Sequence, residues 1–158
     1  MPRDLSGSAS HGIRFEQVRI DSVVFDCQDA APLARFWAEA LGWTVAPYDE
    51  EELERLASKG IYDPEEDPSV MVEPPNGSDL PVLFFTEVPE EKVAKNRVHL
   101  DLSSDGSIED EVQRLEGLGA AVRNWTEDGG SMWCVMLDPQ GNEFCVVSPS
   151  GDDDGDQD

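Results

Sequence analysis

The chain has 158 residues, with 35 aspartate and glutamate residues against 11 lysine and arginine residues and a formal net charge of −24. This length suits one domain with a substantial core and is short for two independent domains. So negative a field repels nucleic acid and anionic membrane surfaces, and neither is an expected partner. No basic leader opens the sequence and no apolar run of about 18 residues occurs, so we expect a cytoplasmic protein without membrane spans.

Both ends of the chain predict disorder. The N-terminal stretch MPRDLSGSASHG is small and polar, and the C-terminal stretch GDDDGDQD is acidic. Neither can bury enough apolar surface to offset the entropy of ordering it. We therefore expect a disordered arm at residues 1–14, a single domain at 15–150 and a disordered acidic tail at 151–158.

The first half of the domain, about residues 15–90, has the pattern strand, helix and three strands. The run RIDSVVFDC predicts a strand, and Asp29 and Gly42 bracket an amphipathic helix. Three short β-like runs follow: WTVAPY, VMVEP and VLFFTEV. Between the first two of these, DEEELERLASKG predicts an inserted acidic helix on the rim, with its charged side in solvent.

The second half, about residues 95–150, repeats this order. NRVHLDL predicts its first strand, DGSIEDEVQRLEGLGA its helix, and AVRNWTE, SMWCVMLD and EFCVVS its last three strands. Ser22 and His99 are 77 residues apart, and so are Gly42 and Gly119. The repeat indicates a duplicated unit.

The strand NRVHLDL carries both apolar and polar side chains. Alternation places Val98, Leu100 and Leu102 on one face and His99 and Asp101 on the other. We expect the three apolar side chains to pack under the helices and the two polar ones to line a cavity. The Cβ atoms of His99 and Asp101 would lie about 7 Å apart, which leaves open whether the two side chains pair directly.

Four features of the sequence carry a family resemblance: the duplicated βαβββ order, LARFWAEALGW after the first strand, NRVHLDL, and the closing LDPQGNEFCVV. Through them the chain resembles the vicinal oxygen chelate superfamily, in particular its glyoxalase-like and bleomycin-resistance-like members. The resemblance implies an α+β fold in which two βαβββ modules form a cupped eight-stranded mixed sheet with the helices outside. It also implies a cavity inside the cup, a divalent metal there in the metal-using members, and a symmetric homodimer.

The resemblance also gives positions for the metal ligands of the family. On this sequence they fall on Ser22, Phe85, His99 and Cys145. The family's usual residues there are His or Gln, Glu, His and Glu. Phenylalanine cannot ligate a metal and serine is a poor ligand, so only His99 is kept. We therefore expect no metal and no other cofactor, although His99 and Cys145 could hold zinc if Glu143 or Glu87 joined them.

The polar faces of the predicted strands supply the candidate ligand-binding residues, and no residue is assigned as catalytic. The candidates are Ser22, Phe85, His99, Asp101, Trp133, Glu143 and Cys145. For His99 a remnant hydrogen-bonding role remains an alternative to ligand contact, and for Trp133 ordinary packing remains an alternative to a cavity wall.

Two functions follow from the resemblance and the residues. The first is a metal-free protein that binds a small neutral or cationic amphipathic molecule in the cavity of the cupped sheet. The alternative is a metal-dependent lyase or isomerase of the glyoxalase type that uses His99 and neighbouring carboxylates. An anionic glutathione adduct is disfavoured as its substrate, because the sequence shows no cluster of lysine and arginine residues to receive it.

Overall fold

The computed structural model describes residues 18–148. The predicted disordered arm and acidic tail lie outside the described residues. The first module contains β1 (Ser22–Cys27), α1 (Ala30–Leu41), β2 (Thr44–Val45), α2 (Glu50–Ser58), a 3₁₀ turn (Pro64–Glu66), β3 (Ser69–Glu73) and β4 (Val82–Glu87). The second contains β5 (Asp101–Ser103), α3 (Ile108–Leu118), β6 (Ala121–Asp128), β7 (Ser131–Leu137) and β8 (Glu143–Val147).

Hydrogen bonds divide the eight strands into two mixed sheets of four, one in each module. The strand orders are β1-β4-β3-β2 and β5-β8-β7-β6. In both sheets the first strand of the module runs parallel to the last, and the other neighbours are antiparallel. The predicted α+β fold of two βαβββ modules is confirmed.

The ends of the helices follow local sequence signals. Gly42 and Gly119 end α1 and α3 with positive φ angles of 66° and 113°, a conformation that only glycine adopts at little cost. The Ser107 hydroxyl accepts a hydrogen bond of 3.1 Å from the backbone N–H of Asp110 and caps α3. At the start of α1 the cap differs from the prediction: Asp29 makes no side-chain cap, and the Ala30 N–H donates to Glu87 Oε1 at 3.3 Å.

The helix α1 carries the residue that joins the two modules. The Trp37 ring lies 5.2 Å from the ring of Phe25 in β1 and 5.2 Å from that of Phe144 in β8. Its indole N–H donates to a carboxylate oxygen of Asp138 at 3.1 Å, and both residues are buried. One core therefore extends across both sheets, and the modules fold as one unit.

Polar contacts at the surface join the modules again. The Gln140 side chain accepts from the Gln28 N–H and donates to the Asp29 carbonyl, both at 2.7 Å. The Arg114 guanidinium in α3 donates to the Ala40 carbonyl at 2.8 Å, which satisfies an acceptor at the C-terminal end of α1.

The inserted helix α2 forms as predicted. Asp49 caps it by accepting from the Glu52 N–H at 2.9 Å. Its acidic side is mostly exposed, while Leu56 is buried. Among residues 18–148 no helix has the length and apolar character that a membrane crossing would require.

Candidate functional site

The segment before β5 leaves the sheet, contrary to the prediction from NRVHLDL. The Asn96 N–H donates to Glu143 Oε2 at 2.9 Å, and the ladder with β8 resumes where the Cys145 N–H donates to the Leu100 carbonyl at 2.9 Å. Residues 97–99 bridge these two anchors outside any strand. The predicted burial of Val98 was therefore wrong, since this side chain is 81% exposed. Leu100 and Leu102 pack against the core, as predicted.

Glu143 holds this segment against the sheet. Its side chain is only 7% exposed, with Lys92 Nζ at 3.1 Å and Arg123 Nη1 at 3.0 Å. Burial alone would raise the pKa of Glu143, but hydrogen bonds from the backbone of Asn96, from its own backbone and from Lys92 outweigh burial and lower the pKa to about 2. Glu143 is therefore ionised at neutral pH and is unsuited to act as a general base.

This carboxylate predicts an acid-labile contribution to stability. Because the folded-state pKa lies below the ordinary value of 4.5, ionised Glu143 stabilises the fold above about pH 4.5 and this contribution disappears as the pH falls towards 2. We expect Glu143→Gln to lower the free energy of unfolding at pH 7 and to flatten its decline below pH 4.5. Urea unfolding at several pH values measures both effects. Glu127→Gln, at an exposed carboxylate in β6, is the control, and equal pH profiles for the two variants would contradict the prediction.

Three potential donor side chains meet where residue 99, β5 and β8 come together. His99 Nε2 lies 3.3 Å from Asp101 Oδ1, which answers the question of direct pairing. One ligand atom from each of His99, Asp101 and Cys145 lies within 4.8 Å of the other two. Burial, followed by the charge of Asp101 and a hydrogen bond to it, raises the pKa of the Cys145 thiol. The thiol therefore stays protonated and is a weak nucleophile.

The strand register identifies the equivalent positions in the first module. Val24 pairs with Phe84 in the parallel ladder of β1 and β4, and Asp101 pairs with Cys145 in that of β5 and β8. Val24 is 77 residues before Asp101, so Phe84 is the counterpart of Cys145. Phe85 instead is fully buried and stacks on Phe25 at 5.0 Å.

A metal site of the family's kind draws ligands from both modules. The first-module counterparts of His99, Asp101 and Cys145 are Ser22, Val24 and Phe84, which offer a single hydroxyl oxygen. Because phenylalanine and valine supply no donor, these residues do not fit a site shared between the modules. His99, Asp101 and Cys145 therefore gain no further metal ligand from Val24 or Phe84 of the first module.

The other predicted site residues are divided between the two sheets. We use open face for the side of each sheet that is turned away from α1 and α3. Trp133 and Val135 alternate onto one face of β7, and Val135 pairs with Cys145, so half-buried Trp133 shares the open face with Cys145 and Glu143. Ser22 belongs to the other sheet, where it pairs with Val82. Five of the seven predicted residues are therefore in the second module: His99, Asp101, Trp133, Glu143 and Cys145.

A cavity of about 280 Å³ lies between β1 and residues 96–100, and we name it the junction cavity. Its apolar lining is Val23, Val24, Phe25, Trp37, Val98, Leu100 and Phe144, and its polar lining is Asp26, Asn96, Arg97, His99, Asn142 and Glu143. Of the predicted residues, His99 and Glu143 line it. Asp26 was not among the predicted residues, although alternation along β1 places it on the face opposite Phe25.

Next to this cavity, a hollow of about 310 Å³ brings cations together, and we name it the cationic hollow. Lys92, Lys95 and Arg123 line it with Glu143. The prediction that the chain lacks a cluster of lysine and arginine residues was wrong. Lys92 and Lys95 are close in sequence, but Arg123 joins them only through the fold.

The model of the glyoxalase-like domain family matches residues 22–147, which span both modules. The chain belongs to the glyoxalase-like domain family. Membership confirms the resemblance to the vicinal oxygen chelate superfamily that the sequence motifs indicated. No match was found among curated proteins.

Solved structures share the fold of this glyoxalase-like domain protein at low sequence identity. A glyoxalase/bleomycin resistance protein/dioxygenase family enzyme from Burkholderia phytofirmans PsJN is 14% identical, with a TM-score of 0.59 over 83% of this chain and 98% of that chain. The fosfomycin resistance protein FosX from Mesorhizobium loti is 9% identical, with a TM-score of 0.54 over 85% and 93%. Lactoylglutathione lyase from Agrobacterium tumefaciens is 14% identical, with a TM-score of 0.52 over 84% and 95%. At these identities the likeness shows the fold alone.

Proposed function

We propose that this glyoxalase-like domain protein binds a small amphipathic molecule in the junction cavity without a metal. The observation that carries the proposal is the lining of this cavity: apolar walls from β1 and β8 face a short polar segment that includes His99. Small-molecule sites commonly combine apolar walls with a few polar groups that fix orientation. The volume of about 280 Å³ suits a compact ligand.

The charges around the cavity favour a ligand that is neutral overall, because Asp26 and Arg97 line the cavity with opposite charges. Asp26 is exposed at the cavity and forms no ion pair with any residue in the range 18–148. Glu143 is already neutralised by Lys92 and Arg123. A ligand amine would therefore be received by Asp26, and His99 would donate or accept a hydrogen bond at the opposite wall.

A thermal-shift screen of small aromatic amines and uncharged aromatic compounds tests this proposal. We expect stabilising hits whose shift is lost in His99→Ala and reduced in Asp26→Asn. Asp128→Asn, in the exposed end of β6, is the matched control and should leave the shift unchanged. Glu143 is unsuitable for this test because its carboxylate binds Lys92 and the Asn96 N–H, and we expect its substitution to release residues 92–96. Hits that persist in both cavity variants would place the ligand elsewhere.

The alternative function, a metal-dependent lyase or isomerase, rests on the His99, Asp101 and Cys145 donors within 4.8 Å. We expect protein purified without chelator to contain no stoichiometric zinc, nickel, manganese or iron, because the first module adds no ligand. Chelator should leave the melting temperature unchanged. Elemental analysis that finds about one ion per chain, together with a lower melting temperature after its removal, would favour the lyase or isomerase.

The proposal includes a symmetric homodimer. β2 and β6 each pair on one side only within the described residues, and such free edges can pair with a second copy. A monomer mass by light scattering at micromolar concentration would remove the homodimer from the proposal and leave the binding site unaffected.

A further inference from the structure

The cationic hollow reverses the charge of the rest of the chain. Lys92, Lys95 and Arg123 carry three positive charges there, and Glu143 carries the single negative charge in the lining. Three less one leaves a local charge of +2, in a chain whose formal net charge is −24. Of the six other lysine and arginine residues in the range 18–148, three are paired with a carboxylate: Arg35 with Glu65, Arg55 with Glu52 and Arg114 with Glu111.

One of these three cations has no carboxylate partner. Lys92 and Arg123 are both engaged by Glu143. Lys95 forms no ion pair with any other described residue, and its ammonium contacts only the carbonyl of Asn96, at 3.3 Å. Lys95 is exposed, so its charge is available to an anion from outside the protein.

The segment that carries Lys92 and Lys95 is fixed in place, although it has no secondary structure. Lys92 is tied to Glu143 Oε2 at 3.1 Å and the Asn96 N–H to the same oxygen at 2.9 Å. Arg123 lies at an irregularity in the pairing of β6 and β7, and its guanidinium contacts the other oxygen of Glu143 at 3.0 Å. Lys92, Arg123 and the backbone beside Lys95 are therefore positioned before any ligand arrives, which reduces the entropic cost of binding an anion.

We propose that the cationic hollow is an oxyanion subsite, so that the ligand carries a carboxylate or phosphate group in addition to its apolar body. This inference rests on the proposed function, because Glu143 lines both the junction cavity and the hollow. The apolar body occupies the cavity and the oxyanion lies beside Lys95 in the hollow. A ligand that also has an amine near Asp26 is a zwitterion. The subsite receives the anionic group of such a zwitterion locally, even though the overall field of the protein repels negative charge.

Titration of the full chain with inorganic phosphate, and separately with acetate, tests the subsite. The ionic strength is held at about 0.15 M with sodium chloride, so that general screening stays constant. Amide chemical shifts measured by NMR should change saturably at residues 92–96 and at Arg123 for at least one of the two anions. Lys95→Ala should weaken that binding about tenfold, the loss expected for one charge-assisted contact, and Lys95→Arg should restore it.

Lys59→Ala provides the matched control, because Lys59 is an exposed lysine at the end of α2 that forms no ion pair among the described residues. It should leave anion binding unchanged. Equal binding by the Lys95→Ala variant, or no saturable shift at residues 92–96 with either anion, would overturn the subsite. If amines stabilise the protein in the thermal-shift screen but no anion binds, the subsite is contradicted and the proposed cavity ligand is not. If an anion binds but no compound in the screen stabilises the protein, the proposed cavity ligand is contradicted and the subsite is not.

Discussion

Trp37→Ala is expected to lower the free energy of unfolding by about 3–5 kcal/mol, the range for removing a large buried aromatic side chain. Trp37 is 1% exposed and contacts Phe25 in one module and Phe144 in the other. Its loss leaves a cavity at the centre of the shared core and a carboxylate of Asp138 without one of its donors. Since domains of this size are stable by about 5–15 kcal/mol, this loss would remove between about a fifth and all of the stability.

Urea unfolding followed by circular dichroism measures this effect. Trp37→Phe separates the packing from the hydrogen bond, and we expect it to cost about 1.5–3 kcal/mol, the range for a hydrogen bond to a charged group. Trp125→Ala is the control, because this side chain is 42% exposed on β6. A cost for Trp37→Ala no greater than that for Trp125→Ala would show that Trp37 does not join the modules.

The adjacent phenylalanines of β4 should behave differently. Phe85→Ala should cost about 3–5 kcal/mol, because Phe85 is fully buried and stacks on Phe25. Phe84→Ala should cost roughly 1 kcal/mol, since Phe84 is only partly buried on the open face. The comparison tests the register that makes Phe84, and not Phe85, the counterpart of Cys145.

The same urea titration distinguishes the two variants, and an unchanged slope would show that both remain two-state. Equal costs would mean that the two side chains share the core and that the assignment of faces along β4 is incorrect. Phe84→Leu is a useful third variant, because it keeps apolar volume on the open face while removing the ring.

Much of the fold could be predicted because its signals are local. Gly42, Gly119 and Ser107 end or cap helices through their own backbone preferences and hydrogen bonds, and these do not depend on the rest of the molecule. The offset of 77 residues aligned the sequence of the first module with that of the second. Together with the closing LDPQGNEFCVV, it was sufficient for the fold class and the family.

The candidate site was less predictable because its residues depend on pairing. The run VLFF in β4 is apolar on both faces, so alternation could not decide between Phe84 and Phe85. Alternation predicted Val98 to be a core residue. In the structure Glu143 binds the Asn96 N–H, and residues 97–99 lie outside the ladder. Arg123 lies near Lys92 only because the strands of the second sheet pair as they do. No local sequence pattern predicts this proximity.

The irregularity at Arg123 also affects which changes in chain length the protein could accept during its divergence. Val122 pairs with Met136 and Asn124 with Val135, so Arg123 is the extra residue of β6. Loss of the single codon for residue 123 would make these neighbours consecutive and leave every other rung between β6 and β7 unchanged. Loss of a codon elsewhere in β6 would shift the rungs on one side of it by a residue and turn their side chains over. A relative that is one residue shorter at this point would therefore keep the hairpin intact while lacking the guanidinium that holds Glu143.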